Sequence, residues 1–362
     1  MSWIPFKIIS KRALGIDIGT SSIKMVEISG SKERQKLENY GEIPASAIFD
    51  KPFRSFGKNT ILFSTEDIAR AISAVIDEAK IKTKRVIFSI PDFSSFFTNI
   101  ELPPMTIEEL SQAVESEARQ YIPLPLSEVT LDWQIIEGSI SGQKKTKLKI
   151  LLVAVPNEVI NQCQEITRLA ELELVALEAE VFGLARSLVG DKKDTVILVD
   201  IGAQSTTCSV VDNGFLKRSY SLDVSANELT AVLAKSLDVD YKKAEELKEK
   251  YGLEPIDISA IEPRKNVREI LLPLIDSIIA EIKKISLSFC QAEGKDIKKI
   301  IVTGGSAMIP GLKKHFEENF KKEIEIANPF LNIFYPPILE KKLKEMGPSY
   351  SIAVGMALRG LE

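Results

Sequence analysis

Residues 13–28 read ALGIDIGTSSIKMVEI, and residues 196–211 read VILVDIGAQSTTCSVV. Each stretch is an apolar run, an Asp-Ile-Gly step, a few small polar residues and a second apolar run. The pattern predicts a β-hairpin in each: Gly19-Thr20-Ser21 joins runs 13–19 and 22–28, and the second copy joins 196–201 to 206–211. Asp212-Asn213-Gly214 then turns the chain into a third strand, FLKRSYSL. The two units stand 183 residues apart (200 − 17). That is far beyond a solenoid period and implies a duplicated domain instead of an array.

The turns carry the chemistry. A tight turn of glycine and hydroxyl residues aims consecutive N–H groups into one concavity, which favours an anion. Gly19 and Gly202 let the backbone approach a ligand without a Cβ between. Asp17 and Asp200 add a carboxylate at each turn that can hold Mg²⁺, directly or through water. Lys24 can reach a phosphate as a point charge. One such hairpin alone reads as a plain surface turn. Two copies at the heads of two lobes, joined by a third element, read as a site. The third element is IIVTGGSAMIPGL, 300–312, an apolar strand entering Gly304-Gly305 and then a helix. Paired glycines there let a flat group such as adenine with its ribose lie against the backbone; the competing reading is a turn whose glycines serve packing.

Bulk properties narrow the field. With 362 residues the chain exceeds one ordinary core. Hydrophobic residues make up 44% and charged residues 27%, as in soluble globular proteins. A net charge of −4 gives no basic field, so nucleic acid is not an expected partner. Cys163, Cys208 and Cys290 stand far apart, which argues against a zinc site or a disulfide scaffold, and a single histidine, His315, argues against His-based metal chemistry and most His-dependent triads. These features place the chain in a reducing cytosol. No window approaches the ~18 apolar residues of a spanning helix. The start, MSWIPFKIISKR, is too broken by Lys7 for a secretory signal; Trp3, Ile4, Phe6, Ile8 and Ile9 among Lys7, Lys11 and Arg12 resemble an interfacial anchor, the alternatives being a strand lead-in or a frayed terminus.

Four units are expected. A first lobe takes 13–92 and 157–190, with a loop-rich stretch at 44–64, a helix capped by Thr65, and a strand RVIFSI. Residues 93–156 form an inserted α+β unit: strands FFTNIEL, EVTLDWQII and KLKILLVAVP, and a helix capped by Thr106 with Ile107, Leu110, Val114 and Tyr121 on one stripe. A polar joint at 189–194 ends the first lobe. The second lobe takes 194–224 and 267–362, including a long helix over about 267–291 and a small-residue helix at 349–360, with a small helical unit at 225–266.

The order DIGTSSIK, DIGAQST, TGGSAMIPG resembles the two phosphate motifs and the adenosine motif of the actin, hsp70 and sugar-kinase superfamily. The insert sits where the cell-division protein FtsA carries its extra SHS2-type subdomain. The insert, AEELKEKYG and MGPSYSIAVGMALRG resemble the PilM family of type IV pilus assembly over about Leu14–Leu361. The resemblance implies an α/β fold, two-lobed and actin-like, built of duplicated ribonuclease-H-like domains, with ATP and Mg²⁺ between the lobes. It places Gly19, Thr20, Ser21, Ser22 and Lys24 on the first phosphate loop, Gly202, Ala203, Gln204, Ser205 and Thr206 on the second, and Gly304, Gly305, Ser306 and Met308 on the adenosine motif. Glu245 and Lys248 match a helix that touches ribose and adenine in bacterial actins; read from spacing alone they are a solvated i,i+3 pair. The superfamily's Glu-Pro signature is replaced by ALEAEVFGLAR, with Ala179 in the place of the proline. Glu178 is then the expected water-orienting carboxylate and Glu180 the reserve. The resemblance thus implies ATP binding more firmly than hydrolysis.

The implied role is a cytoplasmic scaffold, peripheral at the inner membrane through its partners. It docks the N-terminal tail of a PilN-like membrane protein between the first lobe and the insert, where Leu110, Val114 and Tyr121 are candidate contacts, beside other pilus-assembly proteins and possible self-association. An FtsA-like filament former is the alternative, expected to differ by an amphipathic membrane helix after the ALRGLE segment. A small-molecule kinase is disfavoured, because no acidic base with sugar-binding neighbours is apparent.

Overall fold

The computed structural model describes residues 11–31, 34–48, 64–138, 146–190, 193–254 and 263–362. The interfacial-anchor reading of the N-terminus and most of the loop-rich stretch at 44–64 lie outside the described residues. The first lobe opens with β1 (Lys11–Ile18), β2 (Ser22–Ser31), β3 (Arg34–Pro44), the short α1 (Ala45–Ile48), α2 (Thr65–Glu78) and β4 (Arg85–Ile90). The insert contains β5 (Phe96–Leu102), α3 (Ile107–Ala118), β6 (Val129–Glu137) and β7 (Leu148–Pro156). The first lobe resumes with α4 (Asn157–Leu169), β8 (Glu173–Ala179) and α5 (Glu180–Leu184), which runs into a π-turn, Ala185–Val189. Then follow β9 (Val196–Ile201), β10 (Thr206–Asp212), β11 (Phe215–Leu222), α6 (Ala226–Leu237), α7 (Tyr241–Tyr251), α8 (Pro263–Glu293), β12 (Lys299–Thr303), α9 (Leu312–Asn319), β13 (Glu323–Ile326), β14 (Ile333–Phe334) and α10 (Glu340–Arg359).

The duplication is visible in the sheets. The first runs β14-β3-β2-β1-β4-β8 and the second β11-β10-β9-β12-β13. In both, an antiparallel three-strand meander is followed by two strands parallel to its first member. One face of the second sheet packs Ile197, Val199, Val210 and Ile300 against α6–α9. The other joins Val196, Leu198, Val211 and Ile301 to the first lobe's own core, so the lobes share a hydrophobic base.

Local chemistry sets the element ends, with some departures from expectation. Ser64, not Thr65, caps α2: its hydroxyl accepts from the Asp67 N–H at 3.1 Å, leaving Thr65 inside the first turn. Thr106 caps α3 in a reciprocal box with Glu109, as its spacing implies. That helix stops at Ala118, so Tyr121 of the expected stripe lies beyond its end. The small-residue helix begins at Glu340, nine residues earlier than expected, and runs through Pro348.

The largest departure concerns the C-terminal segment, which was expected to stay with the second lobe. Instead β14 pairs with β3 of the first sheet, and α10 lies across that sheet. Val354, Met356, Ala357 and Tyr350 bury against Ala13, Val26, Ile28 and Leu37. The approach is close because the contact points are bare. A Cβ on Gly15 would sit 2.0 Å from the Ala353 carbonyl oxygen, and one on Gly355 would sit 2.0 Å from that of Gly183. The same helix reaches the second lobe: the Pro348 carbonyl accepts from the Gly304 N–H at 3.1 Å and from the Thr303 hydroxyl at 2.8 Å.

The insert also spans both lobes. Asn99 Nδ2 donates to the Lys217 carbonyl at 2.6 Å, and Lys217 Nζ donates to the Ile136 carbonyl at 3.1 Å. Lys149 pairs with Glu137 at 3.0 Å within the insert and with Glu293 of α8 at 3.4 Å.

Gly355→Ala forces its new methyl into the Gly183 backbone. Such overpacking costs about 3 kcal/mol or more, so the variant is expected to show a clear drop in the urea midpoint of unfolding.

Candidate functional site

The two hairpin turns face each other across a cleft of about 340 Å³. Thr20 Oγ1 donates to Gln204 Oε1 across it at 3.4 Å. The turns are held by their carbonyls. The Ser21 carbonyl accepts from the Ala45 N–H at 2.8 Å, that of Gly202 from Ala226 at 2.9 Å and that of Ala203 from Asn227 at 3.1 Å. In a trans peptide the N–H points opposite its carbonyl, so the amides of Ser22, Ala203 and Gln204 turn away from those protein partners, and all three residues line the cleft. This is the arrangement that binds anions. Gly202 N–H closes its own turn on the Ser205 carbonyl at 3.0 Å.

The glycines after β12 complete the wall. Gly304 adopts φ +91°, and a Cβ there would lie 2.3 Å from Asp200 Oδ1, so only glycine fits. A Cβ on Gly305 would meet nothing within 4 Å; this backbone borders open space that a ligand can fill.

Charge is concentrated at the floor. Asp17 is buried and accepts from Ser89 Oγ at 2.7 Å. Asp200 and Glu180 are half-buried and line the cleft. Asp92 is buried: its Oδ1 accepts from the Val181 N–H at 3.2 Å, its own N–H donates to Glu180 Oε2 at 3.1 Å, and its Oδ2 finds no partner among the described residues. Burial pushes Asp200 up to about 7, helped by the Asp17 charge and opposed by Lys24. Burial pushes Asp92 up to about 8, against the Val181 N–H and with the Asp200 charge. Burial, then the charges of Asp17, Asp92 and Asp200, raise Glu180 well above the usual carboxylate range. Asp17 is raised by burial too, with Lys24 and Ser89 pulling back. Lys24 is itself held by Glu42 at 3.2 Å. No group of three or more His, Cys, Asp or Glu among the described residues forms a direct metal cage. Asp17 and Asp200, both at the cleft, do fit a hydrated Mg²⁺, which needs only one or two protein carboxylates.

A family model described as type IV pilus assembly protein PilM matches residues 15–361. The chain belongs to the PilM family. A solved PilM–PilN type IV pilus biogenesis complex contains a chain 25% identical to this PilM-family chain, at a TM-score of 0.82, with 97% of this chain and 98% of that one covered. Pseudomonas aeruginosa FtsA is 24% identical, covering 97% of this chain and 90% of its own length. MreB 5 of Spiroplasma citri, solved bound to AMPPNP, shares the fold at a TM-score of 0.53 and 13% identity, covering 95% of this chain and 94% of its own. The fold is actin-like and the family's role is in type IV pilus assembly.

Most of the expected residues of this PilM-family chain meet in the cleft: Asp17, Gly19, Thr20, Ser21, Ser22, Lys24, Asp200, Gly202, Ala203, Gln204, Ser205, Glu245, Gly304, Gly305 and Ser306. Three do not line it. Thr206 is fully buried in β10, and Thr207 lines the cleft in its stead. Lys248 is buried and spends its ammonium on Thr230 Oγ1 at 2.7 Å and on Glu245 at 2.8 and 2.9 Å. Met308 is exposed and is not among the residues that line the cleft.

Glu178 is also displaced. It stays within β8 and forms a two-pronged pair with Arg186 at 2.6 and 2.9 Å, outside the cleft. Glu180, at the start of α5, holds the cleft position. Of the partner candidates, Leu110 and Val114 belong to the insert's core, 0% and 1% exposed, so no partner can reach them. Tyr121 is half exposed, beside a crevice facing β11. Glu42, Asn227 and Glu249 line the site without having been expected, and buried Asp92 stands behind Glu180. Asp92 follows Pro91 at the end of an apolar strand, and that was the available signal.

Glu178→Gln is expected to lower stability by about 1–2 kcal/mol and leave ligand binding at the cleft intact, whereas Glu180→Gln spares stability; unfolding curves and nucleotide titrations of both variants check this. The raised carboxyls also fix a pH dependence. With folded values near 7 and 8 against an ordinary 3.8, the folded chain holds extra protons, and their contribution lowers stability as pH rises across that window. Asp92→Asn is therefore expected to gain melting temperature relative to the parent as pH goes from 5 to 8 in chelator, and Mg²⁺ is expected to raise the parent's melting temperature more at pH 8 than at pH 5.

Proposed function

We propose that this chain binds ATP with Mg²⁺ between its hairpin turns and uses the nucleotide to set the geometry of its lobes as a scaffold of the pilus assembly platform. The observation that carries this is the pair of hairpin turns that line one cleft and are bridged by Thr20 and Gln204, with the open Gly305 backbone beside them. Asp17 and Asp200 would hold the ion's water shell, and Mg²⁺ would supply charge neutralisation at the phosphates. Asn227, Glu245 and Glu249 would face the ribose and base side. The role proposed is binding with weak or absent turnover, with Glu180 the carboxylate at the cleft position.

The tail of a PilN-like inner-membrane protein would occupy a groove of about 600 Å³ between insert and first lobe, lined by Leu131, Trp133, Val153, Val175, Leu177 and Phe182. Its two walls, β6 and β8, are edge strands of their sheets, and an edge strand offers backbone hydrogen bonds to an added peptide. The chain would then sit on the cytoplasmic face, peripheral to the membrane through that partner.

Gly305→Val is the discriminating variant, since a Cβ at Gly202 would meet the Ser205 carbonyl oxygen at 2.9 Å and disturb the turn itself. It is expected to keep its circular dichroism and melting curve and lose Mg-ATP affinity by tenfold or more; unchanged affinity overturns the nucleotide reading. Trp133→Ala is expected to weaken capture of a PilN-type N-terminal peptide while Mg-ATP binding stays as in the parent. Equal capture would remove the groove from the account.

A further inference from the structure

Asp17, Lys24 and Glu42 form one row across three strands. Asp17 of β1 stands opposite Lys24 of β2, and Lys24 stands opposite Glu42 of β3. Residues directly opposite on neighbouring strands project from the same face of the sheet, and all three line the cleft. The lysine is therefore flanked by acids before any ligand arrives. Its Nζ lies 3.2 Å from Glu42 Oε1 and donates to Ser22 Oγ, which engages two of the three hydrogens it can give. The Tyr350 ring centroid lies 6.0 Å from the same Nζ, at the outer limit of a cation–π contact.

Glu42 is the open member of the row. Its side chain is 41% exposed, against 11% for Lys24. It is nonetheless held in place. Buried Tyr350 of α10 donates from its hydroxyl to Glu42 Oε2 at 3.4 Å, and Tyr40 packs edge-on against the Tyr350 ring at 6.1 Å. A phosphate bound at the first hairpin turn would thus meet a lysine already paired and an acid that repels it. The repulsion grows with the charge on the ligand. ATP without a metal carries about four negative charges, and ATP with Mg²⁺ about two, because the ion's own charge counts in the site.

We infer that Glu42 makes the cleft select metal-bound over metal-free nucleotide, with Tyr350 as the residue that positions it. This rests on the nucleotide reading of the cleft and adds a residue whose part is to exclude a competing form of the ligand. A fixed negative charge stands where phosphates would otherwise find Lys24 alone. Glutamine at this position keeps the shape of the side chain and removes the charge.

The test is calorimetric titration of the full chain with ATP, once in MgCl₂ and once in EDTA. The parent is expected to prefer the Mg²⁺ form by about tenfold or more, and the preference is expected to shrink as salt is raised. Glu42→Gln is expected to tighten metal-free ATP about fivefold and Mg-ATP only about twofold, since the removed charge acted on twice as many ligand charges in the first case. Glu42→Asp keeps the charge and is expected to keep the parent's ratio to within about twofold. Circular dichroism of both variants is expected to match the parent. Equal factors for the two forms in E42Q reduce Glu42 to a clamp on Lys24 and overturn the inference. Loss of Mg-ATP affinity alone also overturns it, because Glu42 would then be holding the ion. If the parent binds neither form, the nucleotide reading itself fails and the inference falls with it. If the parent binds Mg-ATP and E42Q keeps the parent's ratio, only the inference is lost.

Discussion

Four carboxyl groups converge where the two sheets end, and everything around the cleft is organised by their repulsion. Asp17 and Asp200 come from equivalent strands of the two lobes, Asp92 and Glu180 from the junctions that follow β4 and β8. Like charges this close in a poorly solvated place cannot all ionise. Protons or a cation must enter, and either one acts on both lobes together. Lys24 is the protein's own partial answer, yet Glu42 already draws on it. A hydrated divalent ion accompanied by phosphates meets the remaining demand, since the acids would bind the ion and the opposed amides the phosphate oxygens.

The hairpins were legible because they are local. Apolar alternation, Asp-Ile-Gly and a hydroxyl turn fix both strands and the turn within sixteen residues, and repetition then implies the duplicated sheet. Residues whose role depends on a junction were not. Glu178 and Glu180 differ only in falling before or after the end of β8 at Ala179, a boundary that sequence pattern locates to within a few residues at best. The i,i+3 spacing of Glu245 and Lys248 is plain in the sequence, but that Lys248 turns inward to Thr230 depends on how α7 packs against α6. Leu110 and Val114 form a stripe whose cover is the insert's own sheet, and a stripe alone does not say which neighbour covers it. The C-terminal helix was hardest: small residues at 347–357 are ordinary in a helix, and their purpose appears only in the glycine contacts with β1 and α5.

The insert stands between the two proposed binding places. Its strand β6 lines the groove through Leu131 and Trp133 and, six residues on from Leu131, reaches Glu137, which pairs with Lys149. Ile136 accepts from Lys217 of the second lobe, and Lys149 continues to Glu293. A segment held at both ends in this way would move with any change of lobe angle. If nucleotide and a groove peptide prefer the same lobe geometry, the coupling between them is equal in both directions.

The route of α10 has a consequence for the order of events at the ribosome. The first lobe's β1, β2 and β4 are made early, but the apolar face formed by Ala13, Val26, Ile28 and Ile87 is closed by side chains from Leu343 to Leu361. That face stays open while about 250 further residues are synthesised (343 − 87 = 256), including the whole second lobe. The first half of the sequence therefore cannot be the first half to finish folding. For the interval, the growing chain carries an uncovered β-sheet, the kind of surface that recruits chaperones or aggregates.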